Sequence, residues 1–210
     1  MKKTYLFDFD GTLVDSMPTF GSVMLRILDE RGIEYGDDIV KIITPLGYRG
    51  TAEYFRTLGV RESADELVEI MNSYARYEYE NNIPAKDEVI DTLREMKKRG
   101  YSLNVLTASP HVALDPCLKR LGIWELFDNV WSCDDFNTTK ANPEIYKMAA
   151  GRIGVVACDV VFVDDNINAV KTAKAAGMIS VGIFDESSVD YADEFKAVSD
   201  GYVVKFGELI

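Results

Sequence analysis

The feature that most constrains the fold is an alternation of short apolar runs with helical patterns after Pro84. Each run is too short for a helix and ends in Gly, Ser, Thr or acidic residues, which is typical of a buried strand. Strands that alternate with helices form a parallel sheet covered by helices on both faces, so we predict an α/β fold. The predicted strands are 4–9, 103–106, 129–132, 160–163, 180–184 and 202–206.

A helical block separates the first predicted strand from the rest. Apolar residues recur at helical spacing from Phe20 to Leu28, and Gly32 ends that helix. A second short helix is predicted over 51–58, and a third is marked by a stripe from Leu67 to Ala75. We therefore predict two domains: a core formed by 1–15 and 84–210, and a helical domain over 16–83.

Composition and charge exclude several classes of protein. The formal net charge is −12 and no Lys/Arg cluster is present, which argues against nucleic acid as a partner. No run of 18 apolar residues is present, and the N-terminus is not a signal peptide, so we expect no membrane association. Cys117, Cys133 and Cys158 share no close spacing and are expected to be free thiols in a reducing cytoplasm.

Polar and charged residues stand where several predicted strands end. The six are Asp8 and Asp10, Thr107, Lys140, Asp164 and Asp165. Any one of them is a weak signal, because acids near strand ends often cap loops and a lone Lys is usually solvated. In a parallel sheet the carboxyl ends of the strands lie at one edge, where ligands bind. Together they offer carboxylates for a hard cation, and a hydroxyl and an ammonium for anionic oxygens.

This set suits the transfer of a phosphoryl group. A phosphate ester would repel a carboxylate nucleophile unless Mg²⁺, which takes oxygen ligands, and Lys140 offset the charge. Asp8 could then attack phosphorus and form an aspartyl-phosphate. Asp10 could give a proton to the leaving oxygen and later draw one from water. The single histidine, His111, excludes any site that needs two.

Four stretches, in order along the chain, resemble the motifs of the haloacid dehalogenase superfamily, most of whose members are phosphatases. They are Asp8-Phe9-Asp10-Gly11-Thr12-Leu13-Val14-Asp15-Ser16, then Thr107-Ala108-Ser109, then Lys140-Ala141-Asn142-Pro143-Glu144-Ile145-Tyr146, and finally Val163-Asp164-Asp165-Asn166 running on to Ala175-Ala176-Gly177-Met178. The superfamily's third motif is usually Lys-Pro-x-Pro-x-x-Tyr/Phe. The likeness is closest to capped phosphatases of the phosphoglycolate phosphatase and beta-phosphoglucomutase group, and it implies a Rossmann-like core with a small α-helical cap inserted after the first strand.

The resemblance implies a role for each matching residue. Asp8 would be the nucleophile and a metal ligand, and Asp10 the general acid/base, with its backbone carbonyl on Mg²⁺. Asp165 matches a metal ligand, and Asp164 a second metal carboxylate or a neighbour of the metal ligands. Thr107, with the Ala108 N–H, would bind phosphoryl oxygens, and Lys140 would orient nucleophile and phosphate.

Two positions depart from the superfamily pattern. Ala141 replaces the usual proline after the lysine, which is expected to affect the stiffness of the loop more than the chemistry. Ala169 replaces an Asp or Asn that often follows the fourth-motif acid by four residues. Its loss removes a group that could orient a metal ligand, so we expect weaker metal affinity than in relatives.

Asp10 favours a phosphatase or phosphomutase, because the dehalogenases of this superfamily lack an acid there. The sugar phosphomutases of the group carry a histidine where this chain has Phe20, which lowers the mutase alternative without excluding it. A non-catalytic binding protein of the same fold would have lost Asp8 or Asp10.

The expected substrate is a small phosphorylated metabolite, and its identity is left open. Arg49 stands where cap residues often meet the substrate, and a solvated arginine is an equal alternative. Ser109 and Pro110 are expected to open a helix, with Ser109 as a candidate N-cap and Pro110 at the first helical position. His111 is interpreted as a residue of a helix surface. The expected state is a monomer or a small homo-oligomer.

Overall fold

The computed structural model describes residues 3–210, except for the side chain of Pro45. Its main elements alternate as predicted after Pro84. They are β1 Thr4–Phe7, α1 Met17–Arg31, α2 Ile39–Ile43, α3 Gly47–Thr57, α4 Ala64–Asn81, α5 Val89–Lys98, β2 Ser102–Thr107, α6 His111–Arg120, β3 Asn129–Ser132, α7 Glu144–Ile153, β4 Val160–Asp164, α8 Ile167–Ala175, β5 Ile179–Ile183, α9 Ala192–Val198 and β6 Gly201–Val203.

The six strands form one parallel sheet in the order β3-β2-β1-β4-β5-β6. The predicted α/β class, with a parallel Rossmann-like sheet, is therefore confirmed. β1 lies in the middle, and its last residue, Phe7, pairs with Val105 of β2 and Val163 of β4. This register brings the carboxyl ends of three strands side by side.

β1 is buried on both faces because both sides of its pleat carry large apolar groups. Leu6 points into a cluster that includes Leu106 and Phe162. On the opposite face the rings of Tyr5 and Phe7 stack with centroids 5.5 Å apart, and Phe206 packs on Phe7 at the same separation. A strand buried on two faces has little freedom to shift its register, so the residues that follow it are held in place.

The chain divides into two compact units. One runs to Asp15 and resumes from Pro84 to Ile210, and the other is Ser16–Ile83. These limits fall where the sequence analysis divides the chain. That the helical unit serves as a cap stays a prediction.

The helical unit has a core of its own. Residues of α1, α3 and α4, among them Met24, Phe55 and Met71, form one buried apolar cluster. α1 ends at Gly32 as predicted, with the glycine in the left-handed region at φ 63°. α4 begins with a capping box in which Ser63 and Glu66 satisfy each other's backbone N–H groups.

Several local predictions are wrong. The first strand ends at Phe7, two residues early, because the chain turns sharply after Asp8. The last strand ends at Val203, and Phe206 belongs to a short 3₁₀ helix. α6 begins at His111, and Pro110 rather than Ser109 holds the N-cap position, with extended backbone angles. Among the described residues, no helix is long and apolar enough to cross a membrane.

Candidate active site

The chain turns tightly just beyond the carboxyl end of β1. Asp8 donates its backbone N–H to the carbonyl of Val163 at 2.9 Å, which keeps it in line with the sheet. The Leu13 N–H then bonds the Phe9 carbonyl at 2.8 Å, closing the turn. The Asp8 side chain is buried at this edge, whereas Asp10 is half-buried. The turn therefore presents two carboxylates at the position where the sequence predicts a ligand.

Asp164 and Asp165 stand at the end of the neighbouring strand, β4, and are both buried. The hydroxyl of Thr12 donates to Oδ1 of Asp165 at 2.9 Å and accepts the Asp165 backbone N–H at 3.2 Å. Gly11, at φ 73°, lies so close that an added Cβ would sit 2.4 Å from Oδ2 of Asp165. The Gly-Thr pair of the turn thus fixes the carboxylate of the next strand.

Three of the predicted residues form one cluster. Asp8, Asp164 and Asp165 each offer a carboxylate oxygen, and these oxygens all lie within 4.8 Å of one another. The ammonium of Lys140 donates to Oδ1 of Asp8 at 2.6 Å and to Oδ2 of Asp164 at 2.8 Å. Residues from three separate segments, 132 and 24 positions from Lys140, therefore meet at one point.

The electrostatics of this cluster favour a cation. Burial raises the pKa of Asp8 well above its usual range, and Asp164, Asp165 and Asp10 add to the rise while Lys140 opposes it. Burial and the nearby Asp164 raise the pKa of Asp165 to about 7. Lys140 keeps a raised pKa despite burial, because Asp164 and Asp8 stabilise its charge. When all three carboxylates are ionised, one ammonium leaves two negative charges uncompensated. A divalent ion that prefers oxygen ligands would supply this charge, so the donor set fits such an ion.

Tyr146 anchors the loop that carries Lys140. Its hydroxyl lies 3.0 Å from the Lys140 carbonyl and 3.2 Å from the Ala169 carbonyl, so one donor is shared between the two. The tyrosine is buried in α7 and packs edge-on against Phe162 of β4. The lysine is thereby tied to the sheet from its backbone as well as from its ammonium.

Ser109 links the end of β2 to Asp10. Thr107, the last residue of β2, is buried, and its Oγ1 accepts the Ser109 N–H at 3.0 Å. Ala108 is exposed in the turn between them. The Ser109 hydroxyl donates to the carboxylate of Asp10. Ser109 was expected to cap a helix, but its side chain contacts the predicted general acid instead.

The structure does not bring Arg49 into this group. Arg49 lies on α3 with an exposed side chain that pairs with Glu53 and Asp65. Both partners belong to the helical unit. Its predicted contact with substrate stays a prediction.

His111 bridges two carboxylates at the start of α6. Its Nδ1 lies 2.7 Å from Asp115, and its Nε2 lies 2.8 Å from Asp135 in the 3₁₀ turn after β3. Burial alone would lower the pKa of His111, but the hydrogen bonds to the two carboxylates outweigh it and raise the pKa. The histidine is on a helix surface as expected, and it also ties α6 to the segment that leads to Lys140.

The sequence analysis assigns no role to Thr12 or Lys86. Thr12 belongs to the first motif, and its position directly after a turn glycine is the signal that could have identified it. Lys86 contacts the turn after β1, although it is 75 residues further along the chain and follows the helical unit. No local pattern marks such a contact.

Comparison with known proteins agrees with this geometry. A family model described as haloacid dehalogenase-like hydrolase matches residues 2–177. The chain belongs to the haloacid dehalogenase-like hydrolase family. The predicted family and the prediction of an enzyme of the hydrolase class are thus confirmed.

Individual relatives carry more specific names. The pyrophosphatase PpaX of Bacillus velezensis is 30% identical over 85% of this chain and 81% of its own length. A phosphoglycolate phosphatase of Colwellia psychrerythraea is 29% identical over 87% of this chain and 84% of its own. A Thermotoga maritima structure whose name refers to beta-phosphoglucomutase has a TM-score of 0.85 and 23% identity, covering 100% of this chain and 96% of that one. At that identity the structure supports the fold alone.

Proposed function

We propose that this haloacid dehalogenase-like hydrolase is a Mg²⁺-dependent phosphatase that acts on a small phosphorylated metabolite through an aspartyl-phosphate on Asp8. One observation carries the proposal. Lys140 bridges Asp8 and Asp164 inside a buried cluster of three carboxylates. Asp10 lies in the same turn as Asp8. The phosphatase names of the two sequence relatives support the same class of reaction.

The residues of the cluster would hold the metal. Asp8, Asp164 and Asp165 offer the oxygens, and a bound divalent cation would offset their charge together with that of a phosphoryl group. Lys140 holds the Asp8 carboxylate in one orientation, and its charge opposes the rise in the pKa of Asp8 that burial causes. Thr12 orients Asp165 from the opposite side.

The reaction divides into two displacements at phosphorus. In the first, a carboxylate oxygen of Asp8 forms a bond to phosphorus while the bond from phosphorus to the leaving oxygen breaks, and Asp10 gives that oxygen its proton. In the second, water attacks the aspartyl-phosphate, Asp10 takes its proton, and phosphate and the Asp8 carboxylate are released. The Ser109 hydroxyl holds Asp10 for both steps.

Two further assignments extend the proposal. The Thr107 hydroxyl and the Ala108 N–H would bind phosphoryl oxygens that Lys140 also contacts. The helical unit, Ser16–Ile83, would act as a cap that limits the enzyme to small substrates, with Arg49 as a contact for a substrate carboxylate or hydroxyl. A phosphomutase would use the same Asp8 intermediate but return the phosphate to the substrate. Phe20, in place of the mutase histidine, favours hydrolysis.

The experiment is phosphate release from a panel of phosphorylated metabolites, each with Mg²⁺ and with excess chelator. The panel includes phosphoglycolate, pyrophosphate, hexose phosphates, glycerol phosphates and nucleoside monophosphates. Metal-dependent release concentrated on one class of compound is the expected result. Full activity in chelator would rule out the metal, and an isomerised sugar phosphate without free phosphate would favour the mutase.

A further inference from the structure

Lys86 makes three hydrogen bonds that join two loops at the edge of the sheet. Its ammonium lies 2.7 Å from the Gly11 carbonyl, 2.8 Å from the Phe184 carbonyl and 2.8 Å from Oδ2 of Asp185. An ammonium has three N–H donors, so all of them are used. The side chain is 19% exposed and that of Asp185 5%, so this is an ordered contact rather than a surface ion pair.

The backbone around Lys86 is tied to the same turn. The Lys86 N–H donates to the Leu13 carbonyl at 3.0 Å, and the Asp15 N–H donates to the Pro84 carbonyl at 3.0 Å. Val14 and Ala85 form an antiparallel bridge between these two bonds. The segment 84–86 therefore lies along 13–15 as a short two-stranded strip, and Lys86 extends it to Gly11.

Gly11 is the residue at which this contact affects the site. It stands between Asp10, the proposed general acid, and Thr12, whose hydroxyl holds Asp165. It also lies against Asp165 itself, where no Cβ would fit. A shift of the Gly11 peptide would therefore move Asp10 and the support of Asp165 together.

The charge of Lys86 also compensates a neighbour of the cluster. Burial alone would raise the pKa of Asp185, but hydrogen bonds from Lys86 and Ser187 hold it below its usual value. Asp185 is in turn one of the charges that raise the pKa of Asp165. Among the residues that the structure describes, Lys86 is the cation that pairs with Asp185, and its loss would leave this buried carboxylate without that charge.

We propose that Lys86 is a positioning residue for the hydrolysis: its ammonium fixes the Gly11 carbonyl, and through it the placement of Asp10 and Asp165. It does not contact the reacting atoms. Its effect on turnover rests on the proposed function, whereas its effect on the turn does not. The experiment measures the two separately.

The first measurement is hydrogen exchange of the metal-free protein in chelator. Lys86→Met, which keeps the length of the side chain but removes its donors, is expected to speed exchange at least about fivefold in peptides covering 8–15. Lys97→Met is the control, because Lys97 is a lysine of the same unit whose side chain is 27% exposed and pairs with Asp128 at 2.6 Å. It is expected to leave exchange of 8–15 within about twofold of the wild type.

The second measurement is steady-state kinetics with Mg²⁺. Lys86→Met is expected to lower kcat about 10- to 100-fold with KM within about threefold, because a displaced acid and metal ligand affect the transition state more than ground-state binding. Lys97→Met should retain kcat within about twofold. Asp185→Asn keeps the two carbonyl contacts and is expected to stay within about threefold of wild-type kcat and to leave the turn protected.

Three results would overturn the proposal. The first is an unchanged rate of hydrogen exchange at residues 8–15 in Lys86→Met. The second is a loss of activity in Lys97→Met equal to that in Lys86→Met. The third is a kcat of Asp185→Asn as low as that of Lys86→Met, which would show that the ion pair alone matters. If Lys86→Met does not fold, Lys86→Gln replaces it: its side chain is one bond shorter and keeps only two of the three donors, so smaller changes in the same direction are expected. A wild type that releases no phosphate refutes the proposed function, and the exchange data still decide the role of Lys86.

Discussion

Asp8, the proposed nucleophile, occupies an unfavourable environment for a carboxylate. Burial raises its pKa, three neighbouring acids add to the rise, and Lys140 opposes it. Such a group is costly to keep ionised in the folded protein, which is typical of residues at functional sites. Lys140 keeps a charged partner when Asp8 is replaced, because its ammonium still donates a hydrogen bond to Asp164.

We therefore expect Asp8→Asn to abolish phosphate release, by at least about 10³-fold, without loss of the fold. The amide cannot attack phosphorus, yet it fills the same volume and removes one of three crowded charges. The melting temperature is expected to equal or exceed that of the wild type. Asp91→Asn, on an exposed side chain of α5, is the control that should change neither. An Asp8→Asn protein with residual Mg²⁺-dependent turnover would exclude the aspartyl-phosphate.

His111 gives the protein a second titrating contact, away from the carboxylate cluster. Its folded-state pKa lies above the ordinary 6.5, because Asp115 and Asp135 stabilise the charged ring. A raised pKa means that the stabilisation is fully present below pH 6.5 and is lost as the pH rises through the folded value. Asp135, whose pKa is lowered by His111 and by the Ser132 N–H, sets the acid limit, since this contact is lost as the pH falls through the folded-state pKa of Asp135.

His111→Gln should therefore destabilise the protein more at pH 6 than at pH 9. Urea unfolding at the two pH values measures this, with the difference in unfolding free energy between wild type and variant as the result. A surface histidine without these partners would give the same difference at both pH values. A larger effect at pH 9 would show that the neutral ring is the one that the fold prefers.

At the scale of elements, α9 packs on β5 at a point where only glycine fits. A Cβ added to Gly182 would lie 2.3 Å from Cδ1 of Phe195, which is fully buried in α9. Gly201, on the neighbouring β6, has its nearest atom at 3.7 Å, an ordinary contact. Both residues are in strands of one sheet, so the comparison isolates the packing of the helix.

Gly182→Ala is expected to lower the unfolding free energy by about 1–3 kcal/mol, because the helix must move or the ring must leave its position. Gly201→Ala should change it by less than about 0.5 kcal/mol. Chemical denaturation of the two variants gives both values. Equal effects would mean that α9 adapts to the added methyl group.

The sequence predicts the elements that have a local signal. Apolar runs mark the positions of β1 and β4, although the end of β1 is two residues early, and Gly32 marks the end of α1. α2 and α9 were not predicted, because five and seven residues are too few to show a helical period. Ser109 was misplaced because a proline in extended conformation can itself precede the first helical residue, which frees the serine for Asp10.

The same distinction between local and long-range signals applies to the candidate site. Asp8, Asp10, Thr107, Lys140, Asp164 and Asp165 follow strands or form motifs, and the structure brings three of the carboxylates and the lysine together. The contacts that hold them could not be predicted. Lys86 is 75 residues from Gly11 and 99 from Asp185, and its pairing depends on how the strands are ordered in the sheet. Long-range hydrogen bonds of this kind leave no period in the sequence.

At the scale of the whole molecule, the proposed metal ligands all lie in one of the two units. Asp8, Asp164 and Asp165 all lie in the unit that ends at Asp15 and resumes at Pro84, and none lies in Ser16–Ile83. An ion that binds the folded cluster and not the unfolded chain stabilises the fold according to its concentration relative to Kd. We expect this stabilisation to appear in the core unit.

Mg²⁺ at about ten times its Kd is expected to stabilise the core by about 1.4 kcal/mol. That corresponds to a rise of roughly 5 °C in melting temperature for a unit of this size. Hydrogen exchange should slow at β1 and β4 and stay unchanged in α1 and α4, because the helical unit holds none of the proposed ligands. Asp165→Asn should remove most of the rise, since it replaces a charged ligand by a neutral one while Thr12 keeps an acceptor. Na⁺ at equal ionic strength separates a bound divalent ion from general screening of the −12 charge, which would protect both units alike.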